Sequence, residues 1–234
     1  MLRRLGILTR YSETGKPISH YDEEEEEEAN QKPYQEIVGR LNYAATATRP
    51  DMALAVGNLG RFAADPAGRH MRMAIRVMRY LKKTACYRLV LGDQNGKEGV
   101  SESITLNSDS GFAGDPNSLR SATGMTIQDR YGSIVAWHSK KQSITAKSTA
   151  DAEFTVTATS TDEAVLLYKI DIELHTLPGV HRKSYIPLRV YSDNQANVLN
   201  ANTGTHHTWS KTVAVKFPWL FDQVNAGTIV ISHI

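Results

Sequence analysis

The sequence predicts an α/β fold in which a small helical segment precedes a domain built around a sheet. Two strand-type runs, 121–128 and 133–138, flank residues 129–132, a turn signal that ends in glycine. Together with the β-type run 104–106, they predict a three-stranded antiparallel meander. A further β-run, 188–191, leads directly into a helical stretch, as expected where strands and helices alternate.

The composition indicates a globular protein of one or two domains. The chain has 234 residues, of which 41% are hydrophobic and 22% are charged, so it can bury a substantial core. No apolar run approaches the ~18 residues of a membrane span, and the N-terminus is too short in apolar residues for a secretory signal. The single cysteine, Cys86, excludes an intrachain disulfide framework and suits a reducing compartment.

Residues 1–33 are predicted to be a disordered acidic linker. Residues 22–28 are seven consecutive acids, which repel one another and favour a solvated chain. A binding tail is the alternative. The net charge of the whole chain is +2, so the rest of the chain carries +9, which favours an anionic partner.

Residues 34–92 are predicted to form a small set of helices. Apolar residues of the first helix recur at i, i+3 and i+4 spacing: Tyr34, Ile37, Val38, Leu41 and Ala45. The second helix is expected to begin at Pro50 and Asp51, since proline fits a first turn and an acid suits the positive end of the dipole. Its apolar side carries Met52, Ala55, Val56, Leu59 and Phe62.

The third predicted helix, 69–84, has a basic stripe. At 100° per residue, five basic side chains lie within an arc of about 80°: Arg69, Arg72, Arg76, Arg79 and Lys83. The opposite side is expected to be core: Met71, Ala74, Ile75, Met78 and Leu81. Like charges on one helix face repel unless an anion neutralises them, so the stripe favours contact with a nucleic-acid backbone; a merely solvated face is the alternative.

Three carboxylates stand at matching places in the second domain. Asp109 follows the first strand run and Asp193 follows the run 188–191, while Glu153 lies near the start of a helix with Ser148 or Thr149 as its N-cap. Sites in open α/β sheets form beyond the carboxyl ends of strands, so we expect these acids to converge. Three adjacent carboxylates cannot all ionise without a cation, and hard oxygen ligands suit Mg²⁺ or Mn²⁺.

Two groups of motifs add a family resemblance. The first group is YQEIVGRLNY at 34–43, TRPD at 48–51 and RYLKKT at 79–84. The second is SDSGFAGD at 108–115, SATG at 121–124, WHSKKQ at 137–142, STADAEF at 148–154 and SDNQA at 192–196. Residues 34–234 thereby resemble the C-terminal part of the Pol polyprotein of Ty1/copia-type LTR retrotransposons. The first group resembles the segment that closes the reverse transcriptase, and the second resembles the ribonuclease H domain.

The resemblance implies a fold and a chemistry. Residues 100–234 would form an RNase H-like mixed five-stranded sheet with flanking helices, and residues 34–92 would be the thumb- or connection-like end of the reverse transcriptase. Asp109, Glu153 and Asp193 would be catalytic ligands of two Mg²⁺ (or Mn²⁺) ions. The activity implied is hydrolysis of the RNA strand of RNA–DNA hybrids during reverse transcription.

The resemblance also implies partners and a location. We expect an RNA–DNA hybrid as substrate and the remainder of a Pol polyprotein, with its reverse-transcriptase palm and integrase, as the protein partner. No membrane is expected. The location would be the cytoplasm, within a virus-like particle, or the nucleus, and not the secretory route.

One corner of the sequence departs from the family. The family has Lys-His-Ile-Asp before the last helix, and its Asp is a fourth carboxylate, whereas this chain ends the same pattern in Ala214. Trp209 stands where the family has an arginine, whereas His207 matches a histidine of the family pattern. Asp222 lies two turns further, about 12 Å along a helix, too far to substitute simply. Two hypotheses follow: an active endonuclease whose second ion is weak, or a decayed module that only binds nucleic acid.

Overall fold

A computed structural model shows two compact units, Met1–Arg88 and Leu89–Ile234. It describes residues 31–92, 103–111, 121–142, 148–175, 186–204 and 211–234. The predicted acidic linker lies outside these residues apart from its last three positions, which belong to the first helix. The boundary between the two units follows Arg88, four residues before the predicted end of the helical segment at residue 92.

The first unit is helical. Its elements are α1 (Gln31–Ala47), a 3₁₀ turn (Pro50–Met52), α2 (Ala53–Gly60) and α3 (Gly68–Lys83). The apolar positions that were predicted for the first two helices supply most of its core, which consists of Tyr34, Val38, Leu41, Ala45, Met52, Val56, Leu59, Ala74 and Val77. The periodic pattern was therefore sufficient to locate α1 and the helix that follows the 3₁₀ turn.

The prediction for the third helix was wrong at two core positions. Ile75 and Met78 are 38% and 44% exposed, whereas Ala74 and Val77 are buried. The buried arc of α3 is narrow and centred on Ala74 and Val77, and at 100° per residue Met78 and Ile75 lie about 70° and about 130° from that centre. His70 completes the buried face, with its ring stacked on Phe62 at a centroid distance of 3.9 Å.

A largely buried ion pair connects the 3₁₀ turn of this unit with the end of α3. Arg49 donates to both carboxylate oxygens of Asp51, at 2.9 and 2.7 Å, and to the carbonyl and hydroxyl oxygens of Thr84. The Tyr80 hydroxyl donates to Asp51 at 2.9 Å. Burial alone would raise the pKa of Asp51, but the hydrogen bonds from Arg49 and Tyr80 hold that pKa below its usual value. The TRPD motif thus ties the start of the 3₁₀ turn to the end of α3.

The second unit contains a mixed five-stranded sheet with flanking helices. Its elements are β1 (Thr105–Gly111), β2 (Ala122–Gln128), β3 (Ile134–Lys141), α4 (Thr149–His175), β4 (Leu188–Ser192), α5 (Gln195–Thr203), α6 (Lys211–Asn225) and β5 (Ile229–His233). The strand order is β3-β2-β1-β4-β5. The first three strands are antiparallel, and β4 and β5 run parallel to β1. This topology confirms the mixed five-stranded sheet with flanking helices that the family resemblance implied.

The core of the second unit lies between the sheet and its helices. The sheet contributes Leu106, Ile127 and Val190, which are all fully buried, and α4 contributes Phe154. The predicted turn between β2 and β3 is confirmed, because the amide of Gly132, at φ 79°, donates to the carbonyl of Asp129 at 3.0 Å. Among the helices that the structure describes, none is long and apolar enough to cross a membrane.

Candidate metal centre

The sheet brings Asp109 and Asp193 side by side. Asp109 lies within β1, two residues before its end at Gly111, so the strand continues beyond the predicted run and Asp109 does not terminate it. Asp193 immediately follows β4. Asn107 pairs with Tyr191 across the two parallel strands. Both aspartates stand two residues further along, and because side chains alternate along a strand, they share one face of the sheet.

The first turns of α4 supply the third carboxylate. The Ser148 hydroxyl accepts from the amide of Asp151 at 3.1 Å, which confirms the predicted N-cap. Glu153 is only 6% exposed, and the hydroxyl of Ser110 donates to its Oε1 at 2.8 Å. Sequence reasoning missed Ser110; its only signal was its place directly after Asp109.

The three carboxylates converge as expected. One oxygen from each of Asp109, Glu153 and Asp193 lies within 4.8 Å of the other two, and no other such group of metal-ligating side chains is found among the described residues. Glu153 is buried, while the two aspartates are exposed. Carboxylate oxygens at this spacing, open to solvent on one side, can coordinate a hard divalent cation. The cluster is therefore consistent with divalent-metal binding.

The electrostatics of the cluster also fit a cation. Burial raises the pKa of Glu153 to about 7; the negative charges of Asp193 and Asp109 act in the same direction, and the Ser110 hydrogen bond opposes them. Although Asp109 is exposed as a residue, partial burial of its carboxyl group and the charge of Asp193 also raise its pKa. Without a positive charge between them, the three groups resist full ionisation. A divalent cation removes that repulsion, so the residues present fit the group that the family resemblance implied.

The raised pKa of Glu153 gives a testable pH dependence of stability. A carboxyl group that is harder to ionise in the folded state favours folding below its unfolded pKa, near 4.5, and this contribution disappears as the pH rises through about 7. In metal-free protein at pH 8, we expect Glu153→Gln to raise the free energy of unfolding by about 3 kcal/mol, and at pH 4.5 to change it little.

Urea unfolding in EDTA at both pH values checks this expectation. Glu163→Gln is the matched control at pH 8: Glu163 lies on the same helix with its side chain 45% exposed, and burial lowers the pKa of its neighbour His138, which is uncharged at that pH. It should change stability by less than about 0.5 kcal/mol. A native chain whose stability does not fall between pH 4.5 and 8 relative to Glu153→Gln would contradict the electrostatic account of the site.

At the position where the family has a fourth carboxylate, this chain has Ala214. Ala214 lies exposed in the first turn of α6. Pro218, four residues further, lacks the amide hydrogen that would otherwise bond the Ala214 carbonyl. His207 and Trp209 lie outside the described residues.

The basic stripe of the first unit is exposed along α3. No ion pair is found for Arg72, Arg76, Arg79 or Lys83 within the parts of the chain that the structure describes, and Arg69 contacts the ring of His70. The nucleic-acid role of the stripe stays a prediction.

Sequence comparisons give related proteins of known type, although no family model matches the chain. The retrovirus-related Pol polyprotein from transposon TNT 1-94 of Nicotiana tabacum is 31% identical over 202 residues, covering 86% of this chain and 14% of that protein. The Pol polyprotein from transposon RE1 of Arabidopsis thaliana is 30% identical, covering 86% and 13%. This chain thus spans about one seventh of the length of these relatives. The secreted RxLR effector protein 161 of Plasmopara viticola is 38% identical over 135 residues, covering 58% of this chain and 91% of that protein.

Two solved structures are similar in part. LC11-RNase H1 in complex with an RNA/DNA hybrid matches 56% of this chain and 85% of that chain, at 17% identity and a TM-score of 0.39. The native protease–reverse transcriptase of prototype foamy virus matches 62% of this chain and 19% of that chain, at 14% identity and a TM-score of 0.39.

Proposed function

Because this chain belongs to the family of Pol polyproteins of copia-type retrotransposons, we propose that its second unit is a ribonuclease H that hydrolyses the RNA strand of RNA–DNA hybrids. The observation that carries the proposal is the convergence of Asp109, Glu153 and Asp193 within 4.8 Å of one another. The family and the sheet topology support the proposal that this cluster is the catalytic centre.

Different residues of the site would have different roles in this reaction. Asp109, Glu153 and Asp193 would hold Mg²⁺ or Mn²⁺, and the hydroxyl of Ser110, which donates to Oε1 of Glu153, would orient that carboxylate. A pair of such ions supplies activation of the attacking water and stabilisation of the leaving 3′-oxygen. The two exposed aspartates leave the outer side of the site open to a nucleic-acid phosphate, while buried Glu153 anchors it to α4.

The fourth ligand position supports the competing hypothesis of a decayed, binding-only module. Ala214 offers no oxygen donor from its side chain, and Pro218 weakens the backbone bonding of the same part of α6. With one carboxylate fewer, the site carries less negative charge, so the second ion is expected to bind weakly. Catalysis is then limited by the occupancy of that ion rather than by the fold.

Restoring the missing carboxylate tests which hypothesis holds. We expect Ala214→Asp to increase cleavage of a labelled RNA–DNA hybrid in Mg²⁺ by at least ~10-fold, the scale on which single groups at metal sites act. The increase should be largest at low metal concentration, because the added oxygen donor strengthens the weaker ion site. The measurement is the rate of RNA-strand cleavage as a function of Mg²⁺ and Mn²⁺.

The matched control is Val215→Asp, which adds the same charge one residue further on the same helix, where Val215 is 78% exposed. An equal gain in that control would show a non-specific charge effect. A silent native chain with an active Ala214→Asp variant would establish the decayed module. Silence in both, with the fold intact, would argue against the nuclease proposal.

We further propose that the basic stripe of α3 contacts the nucleic-acid backbone, through Arg69, Arg72, Arg76, Arg79 and Lys83. Each phosphate contact releases counterions and contributes ~0.9 to the slope of log K against log salt concentration. The double variant Arg76→Gln/Arg79→Gln should therefore reduce that slope by ~2 for a double-stranded ligand. The double variant Lys32→Gln/Arg61→Gln, at exposed basic residues off the stripe, is the control. Identical slopes in the two variants would indicate a solvated face.

The partners follow from the same family. We propose that the chain works with the remainder of a Pol polyprotein, including a reverse-transcriptase palm and an integrase. Its place of action would then be the cytoplasm, inside a virus-like particle, or the nucleus.

A further inference from the structure

Two buried amide side chains hold the first turn of α4 from different sides. Gln142, directly after β3, donates its Nε2 to the carbonyl of Ala152 at 3.3 Å. Asn197, in α5, donates its Nδ2 to the carbonyl of Ala150 at 3.2 Å. Both acceptors lie within the three residues that precede Glu153. The two amides therefore form hydrogen bonds with the backbone of the turn that carries Glu153.

Each amide is buried at a cost that its own hydrogen bonds do not fully offset. Gln142 is 7% exposed and Asn197 is 3% exposed. In the described part of the chain, neither Oε1 of Gln142 nor Oδ1 of Asn197 has a hydrogen-bond partner. A buried polar atom without a partner is destabilising, so an apolar side chain of the same shape would stabilise the core more. This arrangement points to a role for the amide groups beyond filling space.

Each amide is itself fixed to an element that carries or borders the carboxylate cluster. The Asn194 side chain caps α5 by accepting from the amide of Asn197 at 3.1 Å, and Asn194 directly follows Asp193. Asn197 therefore connects the end of β4 with the start of α4. The backbone amide of Gln142 donates to the carbonyl of Ser121 at 2.8 Å, which ties Gln142 to the edge where β2 begins.

We propose that Gln142 and Asn197 are positioning residues that set Glu153 relative to Asp109 and Asp193 for divalent-cation binding. The inference rests on the proposed metal site of the nuclease. Groups at a functional site must be held to within ~0.5 Å of the productive geometry, and a helix turn carries its side chains with its backbone. Losing either amide lets the turn shift, so the third oxygen leaves the position that a shared ion requires.

The test measures Mn²⁺ affinity of the full chain by electron paramagnetic resonance at pH 8. Asn197→Leu and Gln142→Met keep the size of each side chain and remove its donor. We expect each to weaken Mn²⁺ binding by ~10–100-fold, as is typical for groups that orient metal ligands. Asn197→Ala is measured alongside, because it removes the amide without a new branched side chain if the leucine variant does not fold.

The matched control is Asn202→Leu. Asn202 lies on the same helix as Asn197 and donates its Nδ2 to the carbonyl of Ile231, also at 3.2 Å, but this bond reaches β5 and not α4. We expect its Mn²⁺ affinity to stay within about twofold of the native value, below the ~10-fold scale of an orienting group.

The outcomes distinguish a failure of the proposed metal site from a failure of the proposed positioning role. A native chain that binds no Mn²⁺ overturns the proposed function and the inference together. Native binding that is unchanged in folded Gln142→Met and in the folded Asn197 variants overturns the inference alone. The same loss in Asn202→Leu would also overturn the inference, since general loosening of α5 would then explain the result.

Discussion

Asp109→Asn is expected to reduce Mg²⁺-dependent cleavage of an RNA–DNA hybrid by at least ~100-fold, the upper range for groups that merely orient a metal ligand. Asparagine keeps the shape of the side chain but removes a negative charge from a cluster whose oxygens lie within 4.8 Å of one another. The variant should fold at least as well as the native chain, because burial and the charge of Asp193 make the ionised form of Asp109 unfavourable. Loss of activity with retained or increased stability is the signature of a metal ligand.

Hybrid cleavage in Mg²⁺ and urea unfolding in EDTA measure the two quantities. Asp222→Asn is the matched control: Asp222 is an exposed acid on α6, about 12 Å along the helix from Ala214, and its removal should leave cleavage unchanged. Full activity in Asp109→Asn would show that any nuclease activity of the chain uses another centre. A large loss in Asp222→Asn would show that this acid substitutes for the missing fourth carboxylate.

Arg49→Met is expected to destabilise the first unit by about 3 kcal/mol, because removing one partner of a buried ion pair leaves the other charge uncompensated. The side chain of Arg49 is 7% exposed and that of Asp51 is 24% exposed. The variant also loses two hydrogen bonds to Thr84, which lies 35 residues further along the chain. Tyr80 would remain as a side-chain hydrogen-bond donor to Asp51.

Far-UV circular dichroism in urea detects this loss. The tryptophans occupy positions 137, 209 and 219, all in the second unit, so their fluorescence reports that unit separately. We expect the circular-dichroism transition of Arg49→Met to begin at lower urea concentration than the fluorescence transition. Arg40→Met is the control, since Arg40 pairs with Glu36 on an exposed face and should cost less than ~1 kcal/mol. Equal effects of the two variants would contradict a central role for the buried pair.

Some features of the carboxylate site can be predicted from the local sequence, and others cannot. Strand runs that precede Asp109 and Asp193, and a capped helix that presents Glu153, are readable from residue order, because side-chain periodicity and capping depend on near neighbours. The extension of β1 past Asp109 was not predicted. Its register with β2, from Thr105 opposite Gln128 to Gly111 opposite Ala122, comes from pairing with a strand that lies further along the chain.

Residue order is enough to predict the element types, the family and the three acids. Packing between distant segments sets which side chains support those acids and which apolar residues are buried. Met78 and Ile75 follow the helical pattern, yet they are exposed because α3 buries only a narrow arc. Arg49 reaches Thr84 across 35 residues, and Asn197 reaches Ala150 across 47. Such contacts depend on where distant segments meet, and the periodicity of either segment alone carries no information about that meeting.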